Sequence, residues 1–400
     1  VPTVLASATY GGDHNFIQLY EYSRRERLPV LPVSSEKVDD VARAVEILCR
    51  VSRMRGLRIL NVTIDEVEVG EREKRRMFQL LEPELEVARG EVREKLLKLL
   101  ERLSQLLEKG FYIDLVGVDQ AHQWRRDERK YVETLRNVFG LEMVRTGPER
   151  LCELYDSVDL EEAERIADKW AGEAKSVRPS RGTLLNSARL YLAIKELLRE
   201  MKCDAITIDC GTLLLTGKLP AFPCMAFSQL MREGVIAGCE SDMDSTVTML
   251  LGYCLTGRPG FISNYAVDLA ANRVTYLHCL AAPNLLGEGR LLPYRIDYHG
   301  EASILGAVPV VEFPRGTAVT TVKVSVLNGK MALRSGVSLG SLEREGACRN
   351  KLLVETDARR ILERSEWKVF GWHRVSFLGD FREEFMAAAK LLGLEVVEEG

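Results

Sequence analysis

Short apolar runs alternate with charged, helix-periodic stretches over the first 140 residues, which is how a parallel α/β sheet reads. Residues 2–9 form the first such run and end in the polar turn Gly11-Gly12-Asp13-His14-Asn15. Strands are expected at 28–33 and 57–62, with a helix between them capped by Ser35 and running to about residue 55. Residues 71–109 set leucines at helical spacing among many charges and predict one long helix or two. A strand at 111–118 and a charged helix at 120–137 follow. After the break at Thr146-Gly147-Pro148, helices at 160–174 and 183–201 precede a strand at 204–209. A helix over 223–234 and a short strand at 235–239 then deliver Glu240 directly before a helix at 243–255. In an open α/β sheet ligands gather at the carboxyl ends of strands, and Glu240 stands at one.

The texture changes from Arg258 onward. Strand-like runs at 273–278, 307–313, 318–326 and 330–336 are separated by proline and glycine turns, which predicts an antiparallel β domain. A strand at 374–378 and a helix at 381–392 close the chain. The expected fold class is α/β, with Rossmann-like parallel α/β domains followed by a C-terminal antiparallel β domain. The expected units are 1–146, 147–257 and 258–400, since 400 residues exceed what one compact core holds.

Composition narrows the partners. A net charge of −4 gives no reason to expect nucleic acid or an anionic membrane surface. The basic runs 72–76 and 125–130 are interleaved with Glu or Asp and read as solvated helix faces. No apolar run approaches the ~20 residues that cross a bilayer, and residues 1–8 lack the basic flank of a signal peptide. Nine scattered cysteines without a CxxC pair suit free thiols in a reducing, cytoplasmic compartment. Abundant Glu, Arg and Leu with little Asn and Gln point to a heat-loving source.

Candidate chemistry centres on the histidines. Of five, His278 and His299 fall close together in the β region, with Glu240 and Asn264 before them. One carboxylate, one amide oxygen and two imidazoles suit a Mn²⁺-type divalent ion, and the lack of thiolates argues against structural zinc. Each residue also has a plainer reading. Glu240 can cap the helix that follows it. Asn264 can be a turn residue and His278 a hydrogen-bonded core histidine, while His122 and His373 are assigned to surface or packing. Asp13, His14 and Asn15 suit a turn stabilised by local hydrogen bonds. Cys210, Cys224, Cys239 and Cys279 read as small hydrophobes.

Longer motifs add a resemblance. Pro223-Cys224-Met225-Ala226, the stretch 233–242 and Thr248-Met249-Leu250 resemble the L-fucose/L-arabinose isomerase superfamily, and within it the fucose isomerase-like members. The likeness continues through 257–261, Tyr276-Leu277-His278-Cys279, Asp297-Tyr298-His299-Gly300-Glu301 and 373–380, so it covers about residues 145 to 400. It implies a metal-dependent aldose–ketose isomerase working through an enediol. The metal would be a Mn²⁺-type ion on Glu240 and His299, with His278 and Asn264 as further ligands. Asn264 stands where the family has a carboxylate; with Glu240 it occupies a catalytic position, though an amide cannot shuttle a proton. The second acid or base is then Asp242, Asp268 or Glu301, or Glu240 acts alone. The resemblance also implies a homo-oligomer, trimeric or hexameric, with Asp13, His14, Asn15 and Glu301 touching the sugar. Alternatives on the same fold are a sugar-binding or regulatory protein without turnover, and a metal-dependent epimerase or aldolase.

Overall fold

The computed structural model of the chain describes residues 1–9, 13–26, 28–65, 71–109, 123–300, 305–344 and 347–400. It is a mixed α/β protein with parallel sheets and a C-terminal antiparallel sheet that closes like a barrel. Strands β1 (Thr3–Ser7) and β2 (Val30–Ser34) form a separate parallel pair. Strands β3 (Arg58–Val62), β4 (Glu142–Thr146), β5 (Ala205–Ile208) and β6 (Ile236–Cys239) form one parallel sheet in the order β4-β3-β5-β6. Every residue of β5 and β6 is buried, as expected for a parallel sheet covered on both faces. The register aligns Val62 with Ile208 and Ile208 with Cys239, which brings Thr63, Asp209 and Glu240 to one edge. This sheet draws β3 and β4 from residues up to 146 and β5 and β6 from after it.

Local departures from the expected elements have physical causes. Residues 71–109 fold as three helices, Glu71–Gln79, Glu82–Val87 and Gly90–Lys109. Pro83 sits in the first turn of the second, where its missing N–H costs nothing, and Gly90 opens the third. Asp13, His14 and Asn15 open the helix Asp13–Arg25, and His14 and Asn15 are exposed there. The polar edge strand β4 carries Glu142 and Arg145 and so escapes an apolar-run criterion. The strand expected at 111–118 lies outside the described residues.

Six strands make the barrel: β7 (Phe261–Asp268), β8 (Arg273–His278), β11 (Arg315–Ser325), β12 (Lys330–Ser341), β13 (Asn350–Glu355) and β14 (Arg374–Leu378). Their order is β11-β14-β7-β8-β13-β12, and β12 pairs back with β11 to close it. Strand β15 (Glu395–Glu398) joins β12 in parallel, while β9 (Tyr294–Asp297) and β10 (Val308–Val311) form an antiparallel pair of their own. Helix Met243–Thr256 packs on β11 and β14. Its approach depends on Gly252, since a Cβ there would lie 2.0 Å from the Phe377 ring.

A buried charge cluster fixes the start of β14. Glu399 takes Arg334 at 2.7 Å and Arg374 at 2.8 Å, so each buried guanidinium has a carboxylate partner. Arg374 also donates to the carbonyls of Gly371 and His373, each at 3.0 Å. The residue before β14, His373, is thereby held against the carboxyl end of the parallel sheet.

Candidate metal and catalytic site

Glu240 leaves β6 in the left-handed region, with φ of +61°, and Ser241 follows at +52°. Two consecutive non-glycine residues there are strained, and such strain persists only where neighbours over-determine it. Ser241 supplies those restraints. Its N–H donates to Ile208 O at 3.0 Å, its hydroxyl to Asn61 Oδ1 at 2.7 Å, and its carbonyl accepts from Trp124 Nε1 at 3.0 Å. The cap of helix Met243–Thr256 is Asp242, whose side chain accepts from Ser245 N at 2.8 Å, so Glu240 is released from capping. Its carboxylate is left half-exposed at the edge of the sheet.

Two imidazoles meet that carboxylate. His278 Nε2, at the end of β8, lies 3.5 Å from Oε1, and His373 Nε2 lies 3.6 Å from Oε2. The rings stand edge to face, 5.3 Å apart. His278 Nδ1 accepts from Leu280 N at 3.3 Å, and His373 Nδ1 lies 2.9 Å from Asp242 Oδ2. Asp242 is in turn bound by Lys323 of β11 at 2.9 and 2.7 Å, with all three side chains buried. His373 is thus a central member of the site, where the sequence placed it on the surface or in packing.

Burial alone would raise the Glu240 carboxyl, but His373 and His278 outweigh it and hold it down at about 2. Burial likewise opposes ionisation of Asp242, yet Lys323 and His373 keep it far below the usual carboxylate range. His278 is lowered by burial and raised further by its hydrogen bond to Glu240, and it ends above its ordinary value.

The donor set suits a divalent cation. Ligand atoms of Glu240, His278 and His373 lie within 4.8 Å of one another. Two ligands each ~2.1 Å from one ion sit roughly 3–3.5 Å apart, close to the separations found here. His373 Nε2 is buried with no hydrogen-bond partner among the described residues, an orphan that an ion would satisfy.

The other sequence candidates fall as follows. His299 packs its ring on Phe222 with centroids 4.9 Å apart, outside the three-residue group. Burial and the nearby His278 push it down to about 4, so it is a neutral ring beside the site. Asn264 lies in strand β7, paired with Leu277 and one step from the Ser263–Arg374 pair. That places it one residue along the ladder from His278 and, just beyond the last β14 pair, across from His373. Asp268 pairs with Arg273 at 3.2 Å at the far end of β7. Asp13, His14 and Asn15 lie on the helix packed against β1 and β2. Glu301 and His122 lie outside the described residues. All nine cysteines are free thiols, and burial pushes Cys224 well up. Among the described residues no helix is long and apolar enough to cross a membrane.

Sequence reasoning missed Lys323, Trp124 and Asn61. A lysine inside the run Thr320-Thr321-Val322-Lys323-Val324 was the available signal, because a buried strand admits a charge only with a partner.

No family model matches the chain. It is similar to proteins named sulfoquinovose isomerase. One from Clostridium sp. is 25% identical over 216 residues, which covers 52% of this chain and 46% of that protein. Others from Priestia aryabhattai and Priestia megaterium are 22% identical over 255 residues, 60% of this chain and 54% of theirs. The chain therefore spans about half the length of the curated relatives it matches.

Proposed function

We propose that the protein is a metal-dependent sugar isomerase that interconverts an aldose and a ketose through an enediol, with Glu240 moving the proton. The observation that carries this reading is Glu240 itself. Its ionised carboxylate is presented by a strained turn at a strand end, between two imidazoles at 3.5 and 3.6 Å. The similarity to isomerases of a sugar supports it, as does the resemblance to the L-fucose/L-arabinose isomerase superfamily.

Glu240 and His373 would hold a Mn²⁺-type ion, with His278 and Asn264 beside them. When bound, such an ion would supply the positive charge that stabilises the negative charge developing on the sugar oxygens. Glu240 takes a proton from one carbon with a carboxylate oxygen and returns it to the neighbouring carbon, while the hydroxyl proton passes from one sugar oxygen to the other. His278, with a proton on Nε2, donates to Glu240 and steadies its charge. Asp242 has all its acceptor positions filled and takes no part in the proton transfer.

Ketose formation from a panel of neutral and anionic aldoses, followed by NMR with Mn²⁺ added, tests the reading. Turnover in the native protein and a loss of ~10² to 10⁴ in Glu240→Gln are expected. Sugar binding without turnover would instead favour a binding protein. Undiminished turnover in Glu240→Gln would remove Glu240 from its role.

A further inference from the structure

We propose that Asp242 and Lys323 are positioning residues for His373, which lock its ring in the Nδ1–H tautomer and leave the Nε2 lone pair facing Glu240. The inference deepens the reading above, since it rests on His373 facing a cation, and it concerns residues that would not touch that cation.

The argument starts from the partner of Nδ1. Asp242 Oδ2, at 2.9 Å, belongs to a carboxylate, which can only accept, so the shared proton belongs to the ring. A neutral imidazole with its proton on Nδ1 carries its lone pair on Nε2. That atom is buried, unpartnered among the described residues, and 3.6 Å from a carboxylate oxygen. Facing a carboxylate oxygen, the lone pair of the neutral ring is unfavourable until positive charge, a proton or a cation, comes between them.

Asp242 is itself braced from every side. Oδ1 takes Ser245 N at 2.8 Å and Lys323 Nζ at 2.9 Å, while Oδ2 takes Ser245 Oγ and Lys323 Nζ, each at 2.7 Å. Lys323 Nζ makes a third bond to Ser245 Oγ at 2.6 Å. Its charge compensates that of Asp242, so the carboxylate stays in place to fix the ring. His278 is the internal contrast. Its Nδ1 accepts from Leu280 N, which puts the proton on Nε2, toward Glu240. Glu240 therefore sits between one ring that donates and one that offers a lone pair.

Long-range ¹H–¹⁵N NMR of ¹⁵N-histidine protein without metal, at pH 9 where imidazoles are neutral, reads both tautomers directly. His373 is expected as Nδ1–H and His278 as Nε2–H, with assignment by His373→Gln. Lys323→Met alone would strand a buried charge, so the variant used is Lys323→Met with Asp242→Asn, which removes both charges together. In it the Nδ1–H preference of His373 should be lost while that of His278 for Nε2–H stays. Mn²⁺ affinity, followed by the EPR signal of the free ion, should fall ~10- to 100-fold, and Tyr131→Phe should leave it unchanged. A His373 ring that is Nε2–H in the native protein, or a double variant with unchanged tautomers and affinity, overturns the inference. Native protein that takes up no Mn²⁺ overturns the proposed function instead, and the tautomers still decide the inference.

Discussion

Glu240 and His373 approach to 3.6 Å, although one follows the last strand of the parallel sheet and the other precedes a strand of the barrel. The site therefore exists only where the two sheets meet. Anything that shifts one against the other separates a carboxylate from an imidazole.

That approach distinguishes His373 from His299. We expect His373→Gln to weaken Mn²⁺ binding by at least about tenfold, because a ligand is removed. His299→Gln should leave it within about twofold, because that ring stacks on Phe222 outside the group. Calorimetric titration of both variants checks this, and the opposite ranking would return the late histidine ligand to His299.

Asn264 pairs with Leu277, the neighbour of His278, and stands across from His373 just beyond the Ser263–Arg374 pair. Asn264→Asp adds a negative charge at nearly unchanged volume, so Mn²⁺ should bind more tightly in the variant than in the native protein. Side-by-side titrations at pH 7.5 give the answer. Weaker binding would mean that this position faces away from the ion.

Asp244 gives the fold a pH dependence of its own. It is buried, accepts from Tyr131 Oη at 2.8 Å, and leaves Oδ2 unpartnered among the described residues. Burial, against the pull of Lys323, raises its carboxyl from 3.8 to about 6. The unfolded chain thus gives up this proton first, so the contribution is full below 3.8 and is lost as pH rises through 6. The loss is on the order of 2–3 kcal/mol. Asp244→Asn cannot ionise, so its stability relative to native protein should improve between pH 3.5 and 7.5. Urea unfolding at both values measures it, and a difference that does not change with pH would contradict the assignment.

Gly252 sets helix propensity against packing. Glycine to alanine within a helix ordinarily gains ~1 kcal/mol. Here the new Cβ would lie 2.0 Å from the buried Phe377 ring. Overpacking of that kind costs ~1–3 kcal/mol, so Gly252→Ala should lower the unfolding midpoint. A raised midpoint would show that helix Met243–Thr256 has room to withdraw from the barrel.

The sequence by itself determined the elements whose signal is local. Strands β8 and β14 match the expected 273–278 and 374–378; β8 alternates buried and half-buried positions with period two, and β14 is a short run buried throughout between turns. Glu240 was legible as well, since a short apolar strand directly before a helix marks a carboxyl end of the sheet. Only tertiary structure decided which histidine meets it. His373 and His299 look alike in sequence, each a polar residue at the margin of a strand. Strand pairing alone carries His373 across the closed barrel to Asp242 and leaves His299 on Phe222. The Lys323–Asp242 pair was hidden for the same reason, as the partner that makes a buried charge tolerable is set by which strands pair, and local pattern does not encode it.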